Sequence, residues 1–75
     1  MSKILIIDDH SIIRVGIGFL IHQEIPSASI DEAKSGDVAV AQLKKNTYDL
    51  IILDVNIPGT DTIDFISYLL TATPT

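Results

Sequence analysis

Two short runs of large aliphatic residues, Ile4 to Ile7 and Leu50 to Leu53, carry no polar alternation, and each stops on carboxylates: Asp8-Asp9 in the first case, Asp54 in the second. Unalternating runs of this length suit strands covered on both faces, as in a parallel sheet flanked by helices. A buried helical segment is the rival for the second run, but Pro58-Gly59 is a turn signal that arrives too soon for a helix of ordinary size. Between the runs the spacing changes. Ser11 is placed to cap a helix reaching Gln23 or Glu24, with Ile12, Ile13, Val15, Ile17, Phe19, Leu20 and Ile21 apolar on most sides. Such a helix is either largely buried or carries a contact surface. Gly16 and Gly18 each weaken it by roughly 1 kcal/mol relative to Ala, which points to close packing or to a strand-like local alternative.

Pro26-Ser27 ends that element, and Ala28 to Ala33 alternates in part, as an edge strand does. Ser35-Gly36-Asp37 opens a second helix running to about Lys45, with Val38, Ala39, Ala41 and Leu43 at helical spacing and Lys44-Lys45 at the end where the helix dipole favours cations. Asn46-Thr47 links it to the strand that ends at Asp54. A loop from Asn56 to Thr60 follows, then a third helix from about Asp61, apolar at Ile63, Phe65, Ile66, Leu69 and Leu70. The order is β-α-β-α-β-α in one small domain, residues 1–75. Right-handed crossovers turn that order into a three-layer α/β fold with a parallel sheet. With the second strand outside the first, the spatial order is 2-1-3, and the switch point between strands one and three is where Asp8, Asp9 and Asp54 meet.

Composition narrows the chemistry. Apolar content of 47% against 20% charged excludes a disordered segment. A formal net charge of −5 makes direct nucleic-acid binding by this chain a poor expectation. The absence of cysteine excludes disulfides and thiolate metal sites. Met1-Ser2-Lys3 leads straight into an acid-terminated apolar run, unlike a secretory signal, and Ile12 to Ile21 contains Arg14 and is too short to span a bilayer. A soluble cytoplasmic protein is the expectation. Three carboxyl groups in one crevice repel, so they call for a proton or a cation. Mg²⁺ suits them, since it takes oxygen ligands and leaves coordination positions for phosphate oxygens.

The stretches Ile4-Leu5-Ile6-Ile7-Asp8-Asp9-His10, Glu32-Ala33 followed by Gly36, and Tyr48-Asp49-Leu50-Ile51-Ile52-Leu53-Asp54-Val55-Asn56-Ile57-Pro58-Gly59 resemble the receiver domain of two-component response regulators. Asp8-Asp9-His10-Ser11-Ile12-Ile13-Arg14-Val15-Gly16 is most similar to regulators that carry a helix-turn-helix output domain. The resemblance, from Ser2 to about Leu70, implies a flavodoxin-like receiver sheet and Asp54 as the phosphoacceptor, charged by a phosphohistidine on a sensor histidine kinase. It further implies Mg²⁺ held directly by Asp9, chiefly through water by Asp8, and by Asp54 and the backbone carbonyl of Asn56. Taken singly, Asp8 or Asp9 would be a helix-capping residue and Asp54 a turn residue; at neighbouring strand ends the three read as one site. His10 follows the acids, which makes a phosphodonor or a ligand conceivable, but a solvent-facing loop histidine is the simpler reading.

In the resembled family two further strand-helix units follow and supply a Ser or Thr and a Lys to the phosphoryl group. Lys3, Lys34, Lys44 and Lys45 follow no later core strand, and Thr71, Thr73 and Thr75 fall in a stretch without periodicity. Thr62 stands where the family commonly has Gly. Residues 1–75 thus read as a partial receiver without its last two βα units and without an output domain, any DNA contact belonging to that output domain. The strand through Leu53 would then have an open edge, inviting self-association through that edge and the third helix. The function expected is a phosphorylated switch rather than an enzyme. The alternative is a phosphorylation-independent interaction or dimerisation fragment. An aspartyl-nucleophile phosphatase is disfavoured because it wants an acid two residues after its nucleophile, where His10 and Ser11 stand after Asp8 and Asp9. Flavin binding is disfavoured by the first turn, which lacks a hydroxyl- or glycine-rich phosphate cradle.

Overall fold

The computed structural model describes residues 2–54. Within them the chain forms β1 (Lys3–Ile7), α1 (Ser11–Glu24), β2 (Ser29–Ala33), α2 (Gly36–Lys45) and β3 (Leu50–Leu53). The strands make one parallel sheet in the order β2-β1-β3, as the alternation of runs and helices predicts. The expected loop at Asn56 to Thr60 and the third helix lie outside the described residues.

β1 is the centre of the molecule because its side chains are apolar on both faces. Ile4, Leu5, Ile6 and Ile7 are each no more than 2% exposed, so every one of them is in a core whichever way it points. The strand period of two sends them alternately to opposite faces. Leu5 and Ile7 pack with Ala33 and Ala39, ringed by Val38, Val40, Leu43, Tyr48, Ile51 and Leu53. Ile4 and Ile6 pack with Ala28, Ile17, Ile21, Ile30 and Ile52. One face therefore belongs to α2 and the other to α1.

The two helices cover their faces unequally. α2 buries Gly36 and Ala39, small residues that let its backbone lie close to the sheet. Ser35 is the N-cap, its hydroxyl accepting from the Val38 N–H at 3.3 Å, while Lys44 and Lys45 occupy the last turn. No residue of α1 is fully buried. Ile17 and Ile21 rest on the sheet, while Ile12, Val15, Phe19 and Leu20 are 61–79% exposed. Of the two predicted readings of α1, largely buried or carrying a contact surface, the exposed flank fits the second. α1 is also held by polar bonds: Arg14 donates from Nε to Glu32 at 2.7 Å and from Nη1 to the Asp8 carbonyl at 2.6 Å, and the His22 Nε2–H donates to the Ala28 carbonyl at 2.9 Å.

The glycines of α1 are helical, so the strand-like alternative fails. A Cβ at Gly18 would make ordinary contact with Ile30 at 3.8 Å, and one at Gly16 would meet nothing within 4 Å. Close packing therefore gives no reason for Gly16. Gly16→Ala is expected to stabilise the chain by about 1 kcal/mol, by removing backbone freedom from the unfolded state and adding helix propensity. A higher urea midpoint at unchanged slope would show it; an unchanged midpoint would mean that Gly16 serves the fold in some other way.

The amino-terminal end of the sheet is closed by a polar clasp. The Lys3 N–H donates to Asp49 Oδ2 at 2.8 Å, Lys3 Nζ to Asn46 Oδ1 at 2.6 Å, and Lys3 Nζ also lies 5.6 Å from the centre of the Tyr48 ring. The Tyr48 hydroxyl donates to Asp31 Oδ2. Burial, then the bond and charge of Asp31, push this phenol up to about 12. The clasp fixes where β3 begins, and with it the residue on which β3 ends.

Candidate functional site

The register of the sheet brings the acids together. Ile7 is paired with Ala33 on one side and Leu53 on the other. One residue further on, the Asp8 N–H donates to the Ala33 carbonyl at 3.0 Å and the Asp54 N–H donates to the Ile7 carbonyl at 2.9 Å. Both ladders thus continue one step past the strands, and Asp8 and Asp54 leave the sheet side by side at its carboxyl edge, the edge where open α/β sheets bind ligands. Asp9 and His10 follow before α1 begins. One ligating atom each from Asp8, Asp9, His10 and Asp54 all lie within 4.8 Å of one another. Of the residues singled out from the sequence, Asp8, Asp9 and Asp54 are gathered here; Asn56 lies outside the described residues.

Burial divides the group. Asp8 is buried, Asp54 intermediate, and Asp9 and His10 exposed. Asp8 is kept charged by local bonds: its Oδ1 accepts the His10 backbone N–H at 2.8 Å and faces His10 Nδ1 at 3.0 Å. The backbone bond chiefly holds the Asp8 carboxyl below its ordinary range, against partial burial, with the His10 ring and the Arg14 charge adding to it.

His10 is exposed as expected, but the solvent-facing expectation leaves out its bonds to the acids. Its side chain is 65% exposed, as a loop histidine's would be, yet Nδ1 lies 3.0 Å from Asp8 Oδ1 and 2.9 Å from Asp9 Oδ1. It also takes the N-cap position of α1 in place of Ser11, with extended backbone at φ −98° and ψ 112° and no side-chain cap bond. The ring is engaged with the acids and so leaves the helix end uncapped. The signal available in the sequence was its place directly after two carboxylates and before a helix. The imidazole is raised above its ordinary value first by the bond to Asp8, then by the charge of Asp9, with Asp8 and Asp54 contributing.

The sign of that shift gives a test. A histidine raised in the folded state contributes stability fully present below about pH 6.5 that is lost as pH rises through its folded value. The His10 ring resonance, followed by NMR, is expected to titrate above 6.5 and to move back toward it in Asp8→Asn. A midpoint unmoved by that substitution would show that Asp8 does not hold the proton there.

Chemically, the cluster offers three carboxylates and a ring nitrogen at the carboxyl edge of the sheet, a group that could hold a metal ion. Among the described residues no helix is long and apolar enough to cross a membrane.

Comparison with known proteins puts this geometry in context. The family model described as the response regulator receiver domain matches residues 4–75. The transcriptional regulatory protein ResD of Bacillus subtilis is 43% identical over 63 residues, which cover 84% of this chain and 25% of ResD. Among solved structures, the response regulator protein TrrA of Thermotoga maritima in complex with Mg²⁺-BeF superposes with a TM-score of 0.84 at 30% identity, covering 95% of this chain and 60% of that one. TrrA bound to the histidine kinase ThkA superposes with a TM-score of 0.83 over the same shares. The chain spans about a quarter of ResD and about three fifths of TrrA.

Proposed function

Because the chain belongs to the response regulator receiver domain family, we propose that it is a phosphoacceptor in two-component signalling, with Asp54 receiving a phosphoryl group from a sensor histidine kinase. The observation that carries the reading is the meeting of Asp8, Asp9 and Asp54 at one sheet edge, with ligating atoms within 4.8 Å. TrrA supports it twice, once by its complex with Mg²⁺-BeF and once by its complex with a histidine kinase.

The residues present fit Mg²⁺, which prefers oxygen donors and keeps several positions for water and phosphate. Asp9 would hold it directly, Asp8 chiefly through water, with Asp54 and the Asn56 carbonyl as further ligands. Bound there, the ion would offset the repulsion between a carboxylate nucleophile and the phosphoryl oxygens. A carboxylate oxygen of Asp54 attacks phosphorus, the bond from phosphorus to the kinase imidazole nitrogen breaks, and the nitrogen keeps the electron pair. In this reading the protein is a switch in the cytoplasm, residues 1–75 are the first three βα units of a receiver, and control of transcription belongs to a DNA-binding segment outside them.

The test is intact mass after incubation with Mg²⁺ and acetyl phosphate. One acid-labile phosphoryl group is expected on the chain and none on Asp54→Asn. Absence of the adduct from the unsubstituted chain would refute phosphotransfer to Asp54 by residues 1–75. A second reading, a fragment that works by protein contact without phosphate, is favoured by the exposed flank of α1 at Ile12, Val15, Phe19 and Leu20. Dimerisation that ignores Mg²⁺ and survives Asp54→Asn would support it.

A further inference from the structure

Arg14 ties the end of β1 to two other elements at once. Its side chain, only 15% exposed, stands on the first turn of α1. Nε donates to Glu32 Oε1 at 2.7 Å and Nη1 to the Asp8 carbonyl at 2.6 Å. Glu32 lies on β2, level with Ile6 of β1. Pinning the helix to Glu32 asks for one cation, and a lysine would serve. Holding a carboxylate and a carbonyl together, each in a set direction, asks for the rigid planar fork of a guanidinium.

The second arm matters because of where that carbonyl is. The Asp8 carbonyl and the Asp9 N–H belong to one rigid peptide plane, and the chain leaves the sheet there. The Asp8 N–H is held by the Ala33 carbonyl at 3.0 Å, and the Asp8 carboxylate by the His10 N–H at 2.8 Å. With its carbonyl held by Arg14, Asp8 is restrained at each of its polar groups. Asp9 is held less: among the described residues its carboxylate meets one side chain, the exposed ring of His10, at 2.9 Å. The direction in which Asp9 leaves the sheet edge is therefore set by the tilt of the peptide before it, and Arg14 is the side chain that fixes this tilt.

We propose that Arg14 is a positioning residue of the phosphoacceptor site, holding the Asp8–Asp9 peptide at the tilt that presents the Asp9 carboxylate beside Asp8 and Asp54. The inference rests on the proposed function, in which Asp9 holds Mg²⁺, and adds to it a residue outside the acid cluster. In this role Arg14 acts through Asp9 and not on the phosphoryl group. Its loss acts on Mg²⁺ affinity rather than on the rate reached when Mg²⁺ is saturating.

The test compares the 75-residue chain with Arg14→Met, which removes both arms and keeps an apolar stem, and with Glu32→Gln, which leaves the arm to Asp8 in place. Circular dichroism checks folding. Mg²⁺ affinity is read by calorimetry, the Asp9 amide resonance of the metal-free chain by NMR, and phosphorylation by acetyl phosphate as a function of Mg²⁺ concentration. In Arg14→Met, Mg²⁺ affinity is expected to fall by about tenfold, the lower end of the loss that follows removal of a group orienting a metal ligand, and the Asp9 amide to shift. The Mg²⁺ concentration for half-maximal phosphorylation should rise by the same factor, with the saturated rate changed less than about twofold. Glu32→Gln should leave the Asp9 amide in place and change affinity by less than about twofold. Should Arg14→Met fail to fold, Arg14→Lys, which keeps the tie to Glu32 but not the fork, carries the same expectation. An affinity unchanged in the folded Arg14 variant, or reduced equally in Glu32→Gln, makes Arg14 a helix pin only; it overturns the inference and leaves the phosphoacceptor reading standing. Neither Mg²⁺ binding nor a phosphoryl adduct on the unsubstituted chain overturns both.

Discussion

Leu5→Ala is expected to leave the chain largely unfolded at 25 °C. Leu5 is fully buried on the α2 face, where it packs with Ile7, Ala33 and Ala39. Truncation there removes apolar contact and leaves a cavity that two rigid neighbours, a helix and a central strand, cannot fill. Such a change costs about 2–5 kcal/mol. A chain of 75 residues has on the order of 4–11 kcal/mol to lose, at 0.05–0.15 kcal/mol per residue. The exposed flank of α1 puts this chain toward the lower end, since apolar surface left in water contributes nothing to folding. Loss of the cooperative thermal transition followed by circular dichroism is the expected result. A transition within a few degrees of the unsubstituted chain would show that the α2 face is not the main source of stability.

Mg²⁺ is expected to raise the melting temperature strongly, and Asp9→Asn to abolish most of the rise. Three carboxylates within 4.8 Å store mutual repulsion in the fold, and an ion that binds only the folded arrangement stabilises it by mass action. At about a hundred times its dissociation constant, the gain is about 2.7 kcal/mol. For a chain of this size each kcal/mol is worth about 4–8 °C, so a rise on the order of 10–20 °C follows. Asp9 is the test residue because it is exposed and, among the described residues, its side chain accepts no backbone bond, whereas Asp8 accepts the His10 N–H. An undiminished rise in Asp9→Asn would remove Asp9 from the ligand set.

The sheet was legible in the sequence because β1 and β3 are unmixed aliphatic runs, the second cut short by Pro58-Gly59; burial on both faces holds for β1 but not for β3, where Leu50 is 51% exposed and Ile51 to Leu53 are half-buried. Their ends on acids gave the crevice, since one residue past paired strand ends is a place that topology alone determines. Less visible was the start of β2. The sequence extends it to Ala28, whereas the strand begins at Ser29, because the Ala28 N–H turns back to the Ile25 carbonyl at 3.0 Å. The cap of α1 went to His10 rather than Ser11 for a reason propensity does not contain: the ring is drawn back by carboxylates, and the hydroxyl of the next residue is already inside the helix. Nor does periodicity say which flank of a nearly all-apolar helix meets the sheet. Ile17 and Ile21 do so because Arg14 and His22 have polar partners at Asp8, Glu32 and Ala28 that fix the helix's rotation.

The asymmetry between β1 and α1 sets a difference in tempo at the site. β1 has a strand on either edge and a helix on either face, so its amide protons leave only in the rarest and largest openings of the molecule. α1 buries one narrow side and can part from the sheet in smaller, more frequent openings. Asp8 rides on the slow element and His10 at the start of the quick one. Of the clustered groups, Asp8 is therefore tied to the opening of the whole sheet, and Asp9 and His10 to the smaller openings of the helix that they lead into.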